Sequence, residues 1–140
     1  MKNILVLCTG NSCRSQMAHG LLNYYAGGQA QVYSAGIETH GLNPKAVAAM
    51  ERIGIDISKH TSNHVDEYMD IDFDFIITVC DHAAENCPVI PSKNAVRIHQ
   101  NFSDPSKIED SPEVILAAFD QTRNDISDFA KDFVNKHIVT

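Results

Sequence analysis

The tightest local constraint in this chain is a loop of fixed length between a strand and a helix. Ile4-Leu5-Val6-Leu7 is a continuous apolar run that reads as a buried strand, and Gln16-Met17-Ala18-His19-Gly20-Leu21-Leu22 has helical spacing. Between them lies Cys8-Thr9-Gly10-Asn11-Ser12-Cys13-Arg14-Ser15. Five residues separate Cys8 from Arg14, which lets successive backbone N–H groups and the new helix N-terminus point into one concavity, a site for a tetrahedral oxyanion. Arg14 is expected to close it with a planar fork of donors that holds two oxyanion oxygens at once. Cys8 then lies beneath the central atom. A thiol of pKa about 8.5 falls to roughly 3.5–7.5 beside a helix N-terminus and an arginine, so the loop is expected to bind the anion and to arm its nucleophile. The competing reading, a buried cysteine at a strand end near a surface arginine, is weakened by the preceding strand, by Gly10 and Ser12 within the loop and by Ser15 after it.

A chain of 140 residues suits one domain, residues 1–140, with its own core. The first helix is predicted over Ser15–Ala26, stopped by Gly27-Gly28, with Met17, Leu21 and Tyr25 on one face and Leu22 beside them. Gln31–Ala35 reads as a second strand. Asn43-Pro44 caps a helix running to about Ile53, and a short helix is expected over Asn63–Tyr68. Phe73–Val79 reads as a strand buried on both faces, Ala95–His99 as a weaker one, and Ser111-Pro112-Glu113 opens a last helix to about Asn135. Strands alternating with helices imply an α/β domain of three layers, a four-stranded parallel sheet with helices on both faces. Ligands bind beyond the carboxyl ends of such strands. The opening loop and Cys80 both fall at that edge.

The net charge of −7 argues against nucleic acid and anionic membranes as partners, and no window has the apolar length of a membrane span. Nothing at Met1–Leu7 reads as a secretory signal, so a cytoplasmic location is expected. There the four cysteines are read as catalytic, redox or metal-binding rather than as standing disulfides. Cys80-Asp81-His82-Ala83-Ala84-Glu85-Asn86-Cys87-Pro88 favours a short helix ended by proline. As helix residues, Cys80 and Cys87 would stand about 10 Å apart along the axis, whereas a disulfide needs Cα atoms within roughly 7 Å. Oxidation of this pair would therefore unwind the segment and leave a bridge open to reductants. Inert thiols, or half of a metal site with His82, are the alternatives. Cys13 is read as structural, with its side chain facing away from the loop interior.

Cys8-Thr9-Gly10-Asn11-Ser12-Cys13-Arg14-Ser15-Gln16-Met17-Ala18 resembles the phosphate loop of the low-molecular-weight protein tyrosine phosphatase superfamily, which has a phosphatase-I or flavodoxin-like fold. Tyr33-Ser34-Ala35-Gly36-Ile37-Glu38-Thr39-His40-Gly41, Asn43-Pro44-Lys45-Ala46 and Cys80–Pro88 resemble its thioredoxin-coupled arsenate reductases. The resemblance implies arsenate bound by Thr9, Gly10, Asn11, Ser12, Cys13, Arg14 and Ser15, with phosphate and sulfate as competing oxyanions. It implies catalysis by Cys8, Cys80, Cys87, Arg14 and Asp104, a redox disulfide between Cys80 and Cys87, thioredoxin as external reductant and no bound cofactor; no metal site is expected, and with nothing in the sequence pointing to an obligate partner a monomer is expected. Asn11 would hold the loop in shape, Ser15 would stabilise the Cys8 thiolate by a hydrogen bond, and Asp104 would be the general acid. Asp104 also suits a turn before Pro105. His19 and Asn63 stand where some relatives place carboxylates around a potassium ion, so little response to potassium is expected.

Two other functions fit parts of the pattern. A protein tyrosine phosphatase would use Cys8, Arg14 and Asp104 and leave the other thiols idle; Ser106, where such enzymes commonly carry a tyrosine, argues against it. A non-catalytic thiol protein would bind zinc or arsenite through Cys80 and Cys87.

Overall fold

The computed structural model describes residues 1–86 and 90–139. Its elements are β1 (Lys2–Cys8), α1 (Arg14–Ala26), β2 (Ala30–Gly36), α2 (Pro44–Glu51), a 3-10 turn (Val65–Tyr68), β3 (Phe75–Thr78), α3 (Asp81–Asn86), β4 (Val96–His99), a second 3-10 turn (Pro105–Lys107) and α4 (Pro112–His137). The strands form one parallel sheet in the order β2-β1-β3-β4. The chain reverses its direction of winding between β2 and β3, so the carboxyl ends of β1 and β3, adjacent in the sheet, lie at the crevice where such folds bind ligands.

Alternation along β1 divides the core. Ile4, Val6 and Cys8 face a cluster built with Met17, Leu21 and Leu22 of α1, Ala46, Ala49 and Met50 of α2, and Phe119, Ile126, Ala130 and Phe133 of α4. Leu5 and Leu7 face a smaller cluster with Val65, Phe73, Ile76 and Ile90. Three longer helices thus cover one face, and the first 3-10 turn with the chain around Phe73 and Ile90 covers the other. β1 is central and buried on both sides, which is why its sequence lacks polar alternation. β4 is an edge strand with Val96 half exposed, which explains its weaker apolar signal.

Apart from the second face, which carries a 3-10 turn where a helix was expected, differences from the sequence reading lie at element ends. Helix α2 stops at Glu51 rather than Ile53, since Arg52 closes the last turn and Gly54 (φ 80°) turns the chain. The helix expected over Asn63–Tyr68 is a single 3-10 turn over Val65–Tyr68, capped by His64 and Glu67 in a reciprocal box. Phe73 precedes β3; its N–H donates to Ser92 Oγ at 2.8 Å instead of joining the ladder. Asn43 and Ser111 cap α2 and α4 as their sequences require, accepting from Lys45 N and Val114 N.

Gly36 ends β2 against the turn after β1. A Cβ there would lie 2.3 Å from Glu38 O, 2.7 Å from Thr9 O and 2.8 Å from Asn11 N, all backbone atoms that cannot swing aside. Gly36→Ala is therefore expected to cost about 2–3 kcal/mol, a fall in Tm of roughly 5–10 °C by thermal unfolding, with loss of oxyanion binding.

Candidate active site

The turn after β1 points its carbonyls outward. Thr9 O accepts from Glu38 N at 2.9 Å, Gly10 O from His40 N at 3.0 Å, and Ser12 O from Asn43 N at 3.0 Å. Ser62 Oγ also donates to Gly10 O, and Gln16 Nε2 to Asn11 O. With the carbonyls so engaged, the peptide N–H groups of the turn are left to face inward. Helix α1 continues the pattern, because its first turn has no capping side chain and no acidic residue to compete for its free N–H groups.

Asn11 makes this turn possible. It adopts φ 47°, the left-handed region that asparagine tolerates better than most residues, and has no solvent exposure. Its Nδ2 donates to Ser15 Oγ at 2.9 Å, and its Oδ1 accepts from Asn63 N at 2.8 Å. Ser15 Oγ accepts in this bond, which leaves its own hydroxyl hydrogen free to donate. Buried Gln16 extends the support: Nε2 also reaches Thr61 O, and Oε1 accepts from His60 Nδ1 at 3.1 Å. The His60 ring packs on His19, which hydrogen-bonds Ser34 Oγ at 2.9 Å. His19 and Asn63 are engaged in the polar framework beneath the turn.

Above it lies a cleft of about 470 Å³ whose walls include Cys8, Thr9, Gly10, Ser12, Cys13 and Arg14. Cys80 and Asp104 line it as well. Asn11 and Ser15 are buried below, and Cys87 lies outside the described residues. Cys13 borders the cleft instead of facing away, and burial followed by Asp104 pushes its thiol up to about 12, which keeps it protonated and inert. His40, Asn101 and Lys107 also reach the cleft; they come from separate segments without a local motif, so the sequence reading did not find them.

Arg14 Nη1 donates to Phe102 O at 2.9 Å, and Nη2 lies 3.4 Å from Asp104 Oδ2. The guanidinium therefore ties α1 to the 102–104 segment while its other donors remain for an anion. Asp104 takes the turn position before Pro105 and also reaches the cleft. Its Oδ1 accepts from Ser106 N at 3.0 Å and Ser106 Oγ at 2.6 Å, capping the second 3-10 turn, while its Oδ2 faces Arg14.

In this arrangement hydrogen bonding to Cys80 and burial raise the Cys8 pKa above the usual thiol range, against the opposing effect of Arg14. Cys80 is pulled down to about 5, chiefly by the Cys8 hydrogen bond and then by Thr9 Oγ1, Ala83 N–H and Arg14 against the cost of burial. The Thr9 hydroxyl lies 3.4 Å from Cys80 Sγ. Two thiols this close do not both ionise, so the pair carries one negative charge and one proton over a wide pH range.

The family model described as low molecular weight phosphotyrosine protein phosphatase matches residues 3–137. The chain belongs to that family. An arsenate reductase of Halalkalibacterium halodurans is 50% identical over 132 residues, 94% of each chain, and an arsenate reductase of Bacillus subtilis is 46% identical over the same share. A solved structure described as an arsenate reductase in oxidized state superposes with a TM-score of 0.82 at 29% identity, covering 97% of this chain and 98% of that one. Within the family this chain thus has a phosphatase turn joined to a second thiol at the same sheet edge.

Two outcomes test these electrostatics. Iodoacetamide labelling against pH, read by peptide mapping, is expected to show one thiolate from the Cys8/Cys80 pair appearing near pH 5 and the second only in strong alkali; Cys8→Ser is expected to move the Cys80 midpoint upward. Burial, then His60, lowers His19 to about 4. Its contribution to stability is complete above the unfolded value of about 6.5 and is lost as pH falls toward 4. Tm measured against pH should decline through that window, and His19→Gln should remove about 2–3 kcal/mol of the decline.

Proposed function

We propose that the chain reduces arsenate to arsenite and serves arsenic detoxification, using Cys8, Cys80 and Cys87 in a relay regenerated by thioredoxin. The observation that carries this reading is the meeting of Cys8 and Cys80 in one oxyanion cleft. A phosphatase has no use for a second thiol against its nucleophile; a reductase needs one.

Arsenate enters the turn, held by its inward N–H groups and Arg14. The negative charge of the substrate is complementary to those donors. The Cys8 sulfur bonds to arsenic as an arsenate oxygen leaves as water, its protons supplied by the thiol pair or Asp104. Cys80 then attacks the Cys8 sulfur. The sulfur–arsenic bond breaks with its electron pair remaining on arsenic, which leaves as arsenite, and a Cys8–Cys80 disulfide forms. Cys87 attacks Cys80, releasing Cys8, and the Cys80–Cys87 disulfide is reduced by the dithiol of thioredoxin, which becomes a disulfide in turn. Two electrons pass to arsenic as the sulfur–arsenic bond breaks, and the later steps are thiol–disulfide exchange, so this route calls for no resident cofactor. Among the described residues, no cluster of three or more His, Cys, Asp or Glu side chains could hold a metal ion.

Phosphate and sulfate share the shape of arsenate and should compete for the turn. Slow hydrolysis of aryl phosphates through Cys8, Arg14 and Asp104 accompanies this reading, because the family's nucleophile and anion turn are retained. A cytoplasmic monomer fits its need for a reducing compartment. No helix among the described residues is long and apolar enough to cross a membrane.

The test is arsenate-dependent NADPH consumption with thioredoxin and thioredoxin reductase. The natural chain should turn over continuously, Cys87→Ser should stop after a single round, and Cys8→Ser should give none. If the natural chain consumes no NADPH yet hydrolyses an aryl phosphate, the chain is a phosphatase.

A further inference from the structure

We propose that Asp81, His99 and Asn101 form a latch that holds the Cys80 segment closed against Cys8 in the reduced protein and opens when the Cys80–Cys87 disulfide forms. The proposal rests on the thiol relay above and assigns it three positioning residues.

Helix α3 has six residues, Asp81–Asn86, too few to be stable by itself. External hydrogen bonds secure its first residue. Asp81 N donates to Asn101 Oδ1 at 3.0 Å, and Asp81 Oδ1 lies 2.7 Å from His99 Nε2. His99 Nδ1 lies 2.7 Å from Thr78 Oγ1. Because a carboxylate only accepts, Nε2 carries a hydrogen; in the neutral ring, Nδ1 then accepts from the Thr78 hydroxyl. Thr78 is the last residue of β3, paired in register with Leu7 of β1 and His99 of β4. The chain of hydrogen bonds therefore runs from the sheet to the residue immediately after Cys80.

That position matters to sulfur chemistry. Cys80 meets Thr9 Oγ1 and the Ala83 N–H, and the second contact exists only while the first turn of α3 is formed. The latch thus presents Cys80 to the Cys8 sulfur. Joining Cys80 to Cys87 demands that the intervening residues leave helical spacing, so the latch stabilises the dithiol form and not the disulfide. Selective stabilisation of a dithiol makes its disulfide more oxidising. The latch would therefore hand the disulfide on readily to its external reductant, while keeping the attacking thiol in place before each cycle.

The test is redox equilibration in anaerobic dithiothreitol buffers, with acid quenching and peptide mapping of the Cys80–Cys87 disulfide. In the exchange, the protein disulfide becomes two thiols as dithiothreitol becomes its cyclic disulfide, with two electrons and two protons transferred. Asp81→Ala and His99→Ala should each shift the equilibrium about fivefold toward the protein disulfide, roughly 20 mV more negative. The double variant should go no further than the larger single effect, as residues acting through one contact require. Asp81→Asn, which keeps an oxygen acceptor, should restore part of the potential. Asn101→Gly tests the other arm and should shift in the same direction, and it keeps the test available should His99→Ala fail to fold. Potentials unmoved by these variants, or single effects that simply add, would overturn the latch alone. A natural chain that forms no Cys80–Cys87 disulfide in any buffer would overturn the relay and the latch with it.

Discussion

Everything at the cleft depends on a backbone turn whose N–H groups face one way. Such a turn cannot satisfy its own carbonyls, so it survives only if neighbouring segments accept that duty. Residues 38–43 donate to three of the carbonyls, Ser62 reinforces one, and Gln16 supports Asn11. Asn11 locks the arrangement from below, its amide spanning Ser15 and the backbone of Asn63. Asn11, Ser15 and Gln16 are buried, and losing one side of a buried hydrogen bond costs the desolvation of the group left behind. Anion binding therefore requires no rearrangement of the turn. Its dipoles are oriented before the substrate arrives, which is the condition under which they contribute most to a developing negative charge.

The second thiol changes how the site holds charge. A lone cysteine in an anion turn would be ionised by its surroundings and would repel the incoming oxyanion. With Cys80 beside it, one proton is retained across the pair, and Cys80 is the lower of the two. Cys80 lies between Thr9 of the turn and the first turn of α3, while Cys8 stays at the floor. Transfer of the shared proton is then sufficient to exchange which sulfur is nucleophilic.

The fold was legible wherever burial is symmetrical and local. β1 and β3 are apolar runs because both faces are covered, α1 begins where the turn ends, and Gly27 in a left-handed conformation closes it. Cap residues located α2 and α4 within two residues at each end. The motif from Cys8 to Ser15 and the position of Cys80 after β3 brought most of the cleft into view. What escaped was set by contacts distant in sequence: Arg14 with Phe102, Asn11 with Asn63, His99 with Asp81. No periodicity encodes which side chain a loop will meet. The effect of Arg14 on Cys8 was visible in the motif, but the opposing effect of Cys80 required the sheet to place it.

Helix α4 is the last element in chain order, yet it covers the first strand. Phe133 meets Phe75 with ring centroids 5.0 Å apart, and Ile126 and Ala130 lie in the same cluster as Ile4 and Val6. Buried Arg123 further binds α4 to the end of α2, donating to Ala49 O at 3.0 Å. During synthesis, a nascent chain that has already emitted the whole anion turn still exposes the apolar face beneath it until α4 clears the ribosome. The reactive thiols are made early, but the framework that couples them closes late.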